Sequence, residues 1–327
     1  MSKLKIIIIT EIGNSPKGTG HFFRSINIIE SFDKKKSHIF LNNSKKNKII
    51  TKKINLNFIF YNNIHKINFK KFFGDDYIFV IDLFLPNENL IKKINKFSNK
   101  VIIFNDLNRI KNKKYNTINP QEIYNKKIII KNNSHYFGTN YFVIKKSFLN
   151  TRKKYLIRRK VKNILICLGG AVTKKNLLIV TKFLNEVLDS NYNISISSSF
   201  NNIKNIKINR KIKIINHNSD LSKIIHKYDL SLISGGFIKF ELMCIGMPII
   251  YIPLNDHQKQ LSKKFSDIGC GIFLSEINKL DSNKTQLKNK INSLINNYED
   301  RKKMYIRNRN LVDGKAFKRI NKIFKNL

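Results

Sequence analysis

The sequence predicts an α/β protein made of two doubly wound, Rossmann-like domains, and three observations predict it. All-aliphatic runs such as Lys5-Ile6-Ile7-Ile8-Ile9 recur along the chain, as buried parallel strands require. They alternate with stretches that place apolar residues at helical spacing. A glycine-rich elbow follows a strand in each half, Gly18-Thr19-Gly20-His21 early and Ser234-Gly235-Gly236 late.

In the first half, strands are expected at 5–10, 58–61, 77–82, 101–105 and 127–131. A helix over 21–32 puts Phe22, Ile26 and Ile29 on one face. Residues 42–70, rich in Asn and Lys, read as largely irregular around 58–61. A basic stretch at 151–162 lacks a long apolar run and is the expected linker, which sets the domains at 1–154 and 155–327.

In the second half, strands are expected at 163–168, 194–198, 211–216, 230–233 and 249–253. Helices are expected at 176–188, 221–228, 240–245 and 258–265, the third ended by Gly246 and Pro248. Residues 298–327 read as one charged helix that packs back on the N-terminal domain. The two domains are expected to close as a cleft on one phosphate-bearing ligand.

With 327 residues there is chain enough for two cores, and 42% hydrophobic residues exclude a disordered class. Lys and Arg number 63 against 21 Asp and Glu, a net charge of +42 that by itself suggests a polyanion partner. Lys, Asn and Ile dominate together, however, and all have A/T-rich codons. The lysines are scattered (Lys34-Lys35-Lys36, Lys45-Lys46, Lys153-Lys154, Lys204, Lys207) with no recognition motif. No nucleic-acid partner is therefore expected. Peripheral contact with a membrane through basic side chains stays open.

Cys167, Cys244 and Cys270 lie far apart without a Cys-x-x-Cys, so reduced, buried thiols in a cytoplasmic protein are expected. The first apolar run is too short, and too soon followed by Glu11 and Gly13, to be a signal peptide or a span.

Chemistry concentrates at the elbows. Glycines let backbone approach a ligand, and the helix N-terminus behind them offers N–H donors to an anion. His21 stands at the end of a buried strand, where such sheets do chemistry, and histidine is the side chain whose ordinary pKa lies nearest neutrality. The plainer reading is an exposed or capping histidine. Arg24, one turn on, either meets the ligand or is solvated. Asp82 ends a strand, as does Asp106 nearly; the commoner fate of such an acid is to cap a loop. Glu241, a turn beyond Gly236, either accepts hydrogen bonds from a sugar diol or pairs with one of the lysines. His135, His217 and His226 read as structural or exposed.

The series Asp229-Leu230-Ser231-Leu232-Ile233-Ser234-Gly235-Gly236, Phe240-Glu241-Leu242, Gly246-Met247-Pro248, Tyr251-Ile252-Pro253 and Gln258 resembles the nucleotide-sugar half of the two-domain (GT-B) glycosyltransferase superfamily. The resemblance implies that Gly235, Gly236 and Phe237 border a diphosphate. It also implies that Glu241 receives the ribose and that His257 and Gln258 face the ligand.

Within that superfamily the chain looks most like the UDP-sugar hydrolases of pseudaminic acid biosynthesis, which release UDP from a 2,4-diacetamido-2,4,6-trideoxy hexose. Gly18-Thr19-Gly20-His21-Phe22-Phe23-Arg24 carries this resemblance, with Gly138, Tyr141, Lys146 and Phe148, the acids Asp82 and Asp106, and Leu168-Gly169-Gly170. It implies a base at His21, a catalytic role for Asp82, ligand contacts at Gly18, Gly20, Arg24, Gly169 and Gly170, a UDP-sugar substrate, and no cofactor. No Asp-x-Asp occurs, so no metal is implied, and a monomer is expected.

Five departures accompany the match, one of them His257-Gln258 in place of an Asn-Gln pair. Thr10-Glu11-Ile12-Gly13-Asn14 replaces an Arg-x-Asp-x-Ser stretch, and Phe84 stands where a Tyr is usual. Phe237-Ile238 replaces Ser-Thr, and Ala171-Val172 replaces Ser-Asp. Two alternatives follow, a glycosyltransferase of the same fold and a degenerate nucleotide-sugar-binding protein.

Overall fold

The computed structural model describes residues 4–13, 18–72, 77–106, 108, 110, 114–130, 132–170, 172–198, 212–216 and 220–327. Asn14, Lys131, Ala171, Lys204, Lys207, Lys211 and His217 lie outside the described residues. The chain forms two units, 1–144 with 314–327, and 145–313.

The first unit is built on eight strands: β1 (Lys5–Thr10), β2 (His38–Asn42), β3 (Asn57–Tyr61), β4 (Tyr77–Asp82), β5 (Val101–Phe104), β6 (Asn116–Asn119), β7 (Lys126–Ile130) and β8 (Asn133–Phe137). Their order is β3-β2-β1-β4-β5-β6-β8-β7, parallel except for the β7–β8 edge hairpin. The strand period of two splits β1 between both faces. Ile6 and Ile8 pack with Phe22, Ile26 and Ile29 of α1 (Gly20–Ile29), whereas Ile7 and Ile9 pack on the opposite face with Leu90, Ile91 and Ile94.

Four elements of this unit were not legible as such. β2 carries only Ile39, Phe40 and Leu41 between polar ends, and β6 is Asn-Thr-Ile-Asn. The helix α2 (Lys45–Thr51) owes its start to Ser44, whose side chain accepts from the Asn47 N–H. β8 reads as polar because only its alternate residues are buried. Two further helices are α3 (Phe69–Phe72) and α4 (Glu88–Asn95).

The second unit has α5 (Lys146–Lys154) and six parallel strands, β9 (Asn163–Cys167), β10 (Asn193–Ser198), β11 (Ile212–Asn216), β12 (Leu230–Ile233), β13 (Ile249–Tyr251) and β14 (Ile272–Phe273). The order is β11-β10-β9-β12-β13-β14. α6 (Lys174–Val187), capped by Thr173, buries Leu177, Val180, Leu184 and Val187 as their spacing predicts. α7 (Ile238–Ile245), α8 (Asp256–Asp267), α9 (Lys284–Asn296) and α10 (Tyr298–Leu311) complete it, and α11 (Ala316–Lys325) belongs to the first unit.

Three expectations need correcting. The units divide ten residues before the expected boundary, at 144/145 and not 154/155. The reason is that α5 is tied into the second unit: Thr151 Oγ1 donates to Ser222 O at 2.8 Å, and the Arg152 guanidinium donates to the carbonyls of Cys244, Arg309 and Val312. Residues 221–228 form two 3₁₀ turns, Leu221–Lys223 and Ile225–Lys227, where a helix was expected. Residues 298–327 form two helices separated at Val312–Lys315 around Gly314, which takes a left-handed turn at φ 77°. The second of them is held by aromatic contact, because Phe32 stacks on Phe324 at 5.5 Å and meets Phe317 edge-on at 5.1 Å.

Candidate active site

Each sheet reverses its winding direction once, between β1 and β4 in the first unit and between β9 and β12 in the second. The carboxyl ends of strands at such a switch point are where open α/β sheets bind ligands. In the first unit, Thr10 and Asp82 are register partners at those ends, and α1 begins just beyond β1. In the second, the Gly169-Gly170 turn follows β9 and Gly235-Gly236 follows β12. The two turns are joined where Ser234 Oγ donates to Leu168 O at 3.0 Å.

The first-unit cluster is almost wholly buried. His21 Nδ1 is 2.7 Å from Asp82 Oδ1. Arg24 Nε donates to Asp82 Oδ2 at 2.8 Å and its Nη2 to Oδ1 at 2.5 Å, while Nη1 and Nη2 each reach an oxygen of Asp106 at 2.9 Å. Ser25 Oγ adds a contact to Asp82 at 3.3 Å. The helix supplies this geometry: residues 21 and 24 are one turn apart, so both point to the end of the adjacent strand β4. The Arg24 guanidinium also lies 4.4 Å over the Phe104 ring.

Burial alone would raise the pKa of Asp82, but the charge and hydrogen bonds of Arg24, with those of His21, bring it down to about 2. Burial would lower that of Arg24, and the two acids more than reverse the effect, so it is raised. Asp82 thus orients an imidazole and does not cap a loop. Arg24, expected at the ligand, is 1% exposed, and its guanidinium binds the two carboxylates beneath His21.

The second-unit cluster gathers around the Gly235 elbow. Gly235 turns at φ 88°, and a Cβ there would stand 2.4 Å from Ser262 Oγ and 3.4 Å from Gln258 O. This brings the first turn of α8, with His257 and Gln258, against the elbow. Gln258 is committed to the start of that helix: its N–H donates to Asn255 Oδ1 and its Oε1 accepts from the Leu254 N–H, each at 2.9 Å. His257 is half-exposed. Gly236, by contrast, has only Ser234 Oγ near a would-be Cβ, at 3.9 Å, and Gly18 and Gly169 have nothing within 4 Å. Phe237 takes the N-cap position of α7, and no side chain caps that helix. Gly20 opens α1, which likewise has no side-chain cap.

Glu241 lies in the first turn of α7, half-buried. Among the described residues no hydrogen bond or ion pair involves its carboxyl group. Lys145, the cation that acts on it, gives its ammonium to Asp220 at 3.0 Å. Desolvation raises the Glu241 pKa to about 8, with Lys145 opposing and Asp220 adding to the shift. The exposed rim of the group tempers this without changing its direction.

Two residues escaped the sequence reading, and a third was read without its role. Lys239 is fully buried behind the elbow, donating from Nζ to Gly235 O at 3.0 Å; its i+4 spacing from Gly235 was the available signal. Thr10 keeps a buried hydroxyl at the end of β1 that has no hydrogen-bond partner among the described residues. Asp106 was read only as a strand-end acid, not as the second partner of Arg24. His135 is structural, 3.0 Å from Thr117 Oγ1. Among the described residues no group of three or more His, Cys, Asp or Glu is placed to hold a metal ion, and no helix is long and apolar enough to cross a membrane.

The sequence pattern of the glycosyltransferase family 28 C-terminal domain matches residues 140–322, more than half of the chain. The chain belongs to that family. This glycosyltransferase family 28 chain is also 24% identical over 262 residues to the spore coat polysaccharide biosynthesis protein SpsG of Bacillus subtilis (strain 168), covering 76% of each protein. Among solved structures it resembles MurG of Acinetobacter baumannii, with a TM-score of 0.66 at 15% identity over 99% of this chain and 100% of that one. It also resembles HepE of Anabaena, solved in complex with UDP and glucose, with a TM-score of 0.59 at 12% identity over 99% and 100%. The fold is therefore GT-B-like, two α/β domains each built on a largely parallel sheet.

Proposed function

We propose that this family 28 chain uses a UDP-sugar as donor and transfers its glycosyl group to an acceptor hydroxyl. The observation that carries the reading is Glu241, a half-buried carboxyl group with no hydrogen-bond or ion-pair partner among the described residues, one turn along a helix that begins at a glycine elbow without a side-chain cap from its N-cap residue. A ribose diol offers donors to such a group, and a diphosphate accepts from backbone N–H groups at the helix start. The presence of UDP with HepE and the polysaccharide role named for SpsG support the same donor class.

In this reading His21 is the base. Asp82 holds Nδ1, so Nε2 takes the proton from the acceptor hydroxyl. The acceptor oxygen bonds to the anomeric carbon. The bond from that carbon to the diphosphate oxygen breaks, and its electron pair leaves with UDP. N–H groups at the start of α7 stabilise the growing charge.

A second reading replaces the acceptor with water and makes the chain a UDP-sugar hydrolase of an amino sugar in sialic-acid-like sugar synthesis. The run Gly18 to Arg24, with its His–Asp pair, favours it. One experiment separates the two: a panel of UDP-sugars incubated with the pure protein, with and without saccharide acceptors, with free UDP as readout. Transfer predicts UDP release that depends on acceptor, and hydrolysis predicts release in water alone. The absence of UDP binding, or full turnover by His21→Ala, would overturn both.

A further inference from the structure

We propose that Asp106, acting through Arg24, is a positioning residue that leaves Asp82 able to support His21 through proton uptake. The inference rests on the reading of His21 as the base. It begins from an asymmetry of charge. Arg24 is 1% exposed and forks between two carboxylates, with two contacts to Asp82 and two to Asp106. With Asp82 as its sole partner, the guanidinium would neutralise the acid on which His21 depends. A protonated imidazole would then add an unmatched positive charge to a buried site, where charge is costly.

With Asp106 present, two carboxylates face one guanidinium among the described residues, and one negative charge is left over. Proton uptake by His21 cancels that charge. His21 Nδ1 lies 2.7 Å from Asp82 and 4.0 Å from Asp106, so both acids act on the ring directly as well. Among the described residues, the groups that face the ring also include Arg24 Nη2, 3.2 Å from Nδ1, and Phe84, which is uncharged. Glu11, beyond β1, accepts from the Phe84 N–H at 2.6 Å. Asp106 follows β5, so the arrangement draws on β4, β5 and α1 together.

The contacts also give Asp106 a geometric role. The parallel pair of bonds from Nη1 and Nη2 to Asp106 fixes the plane of the guanidinium. That plane presents Nε and Nη2 to Asp82, and Asp82 presents Oδ1 to the imidazole.

The test is an NMR titration of the His21 ring in the full chain, compared between wild type, Asp106→Asn and Asp106→Glu. Removing the charge in Asp106→Asn should move the midpoint of the His21 titration to lower pH by roughly one to three units, the range for losing an opposite charge within about 4–6 Å. Asp106→Glu keeps the charge and should bring the midpoint back toward the wild-type position. Near-UV circular dichroism confirms that each variant is folded. If Asp106→Asn does not fold, the Asp106→Glu titration decides: a folded Asp106→Glu whose midpoint lies about one unit or more below that of wild type overturns the proposal. A folded Asp106→Asn with an unmoved midpoint overturns it as well. None of these readouts needs turnover, so an inactive wild type would count against the enzyme reading alone. Where turnover is present, the acidic limb of kcat/KM should move in the same direction as the titration, with KM little changed.

Discussion

The ring of Phe84 stands edge-on to the imidazole of His21, with 6.2 Å between centroids and 86° between planes. The Phe84 N–H donates to Glu11 Oε1 at 2.6 Å. Two places where the chain departs from the hydrolase pattern, the stretch after β1 and the residue two past Asp82, therefore meet in one contact. Glu11 holds the segment that brings Phe84 to His21. An edge-on aromatic contact keeps the ring in place without a hydroxyl, so the loss of Tyr here removes a polar group but not the packing.

Phe84→Tyr should for that reason fold normally and raise UDP release in the absence of acceptor. One added hydrogen bond to water or sugar, worth about 1 kcal/mol, corresponds to roughly fivefold in rate. Free UDP measured with and without acceptor checks it. Wild-type hydrolysis that is robust and unchanged by the substitution would make the departure neutral.

Asp82→Asn tests the His21 pair from the other side. The amide nearly keeps the shape of the acid but removes the charge and forces a donor toward either His21 or Arg24. Turnover should fall by about 10²–10⁴-fold with UDP affinity nearly unchanged. Stability follows from the depressed pKa. A carboxylate held at about 2, against an ordinary 3.8, stabilises the fold fully above about pH 4 and loses that contribution as pH falls through about 2. The melting-temperature gap between wild type and Asp82→Asn should thus be widest at neutral pH and close toward pH 2.

Much of this site was legible in the sequence because it depends on local order. Aliphatic runs mark the buried strands, and the elbows after β1 and β12 mark their carboxyl ends, so His21, Asp82 and Glu241 could be singled out by position alone. What was not legible depends on strand order. That Arg24 faces inward to two acids, and not outward to solvent, follows only once β4 lies beside β1 and β5 beside β4. The role of Gln258 at the start of α8 could not be separated from a ligand contact until Asn255 and Leu254 were seen to bind it. β2 and β6 were missed because their strand character comes from parallel neighbours, not from their own composition.

Glu241→Gln addresses the nucleotide. An acid whose folded pKa is raised to about 8, from an ordinary 4.5, holds its proton more tightly in the fold than in the unfolded chain. The fold is then most stable at low pH and loses stability as pH rises from about 4.5 to about 8, with no further loss above. Glu241→Gln should match wild type near pH 4.5 and melt higher than wild type at pH 9. Glu241→Ala, which removes the acceptor altogether, should weaken UDP binding by about 1–3 kcal/mol, the range for leaving a buried polar partner unpaired. Differential scanning calorimetry at the two pH values and titration with UDP measure the two effects separately.

Gly235 and Gly236 are adjacent yet have different reasons to be glycine, and alanine at each position separates folding from binding. Gly235 is left-handed, at φ 88°, and its added Cβ would meet Ser262 Oγ at 2.4 Å. Alanine there should cost about 2 kcal/mol or more in stability, from backbone strain and overpacking against α8. Any loss of UDP binding in that variant would follow from a displaced elbow and would say little about contact. Gly236 has no such constraint, since the nearest atom to its would-be Cβ is Ser234 Oγ at 3.9 Å. Gly236→Ala should therefore unfold within about 0.5 kcal/mol of wild type, as a substitution that meets no buried partner does. If a diphosphate lies against this turn, the methyl group occupies the space of a phosphate oxygen, and UDP affinity should drop about tenfold or more, roughly 1.4 kcal/mol. Calorimetric titration of the folded Gly236→Ala variant with UDP is decisive, because wild-type affinity there would remove the diphosphate from the elbow and leave Glu241 without the ligand proposed for it.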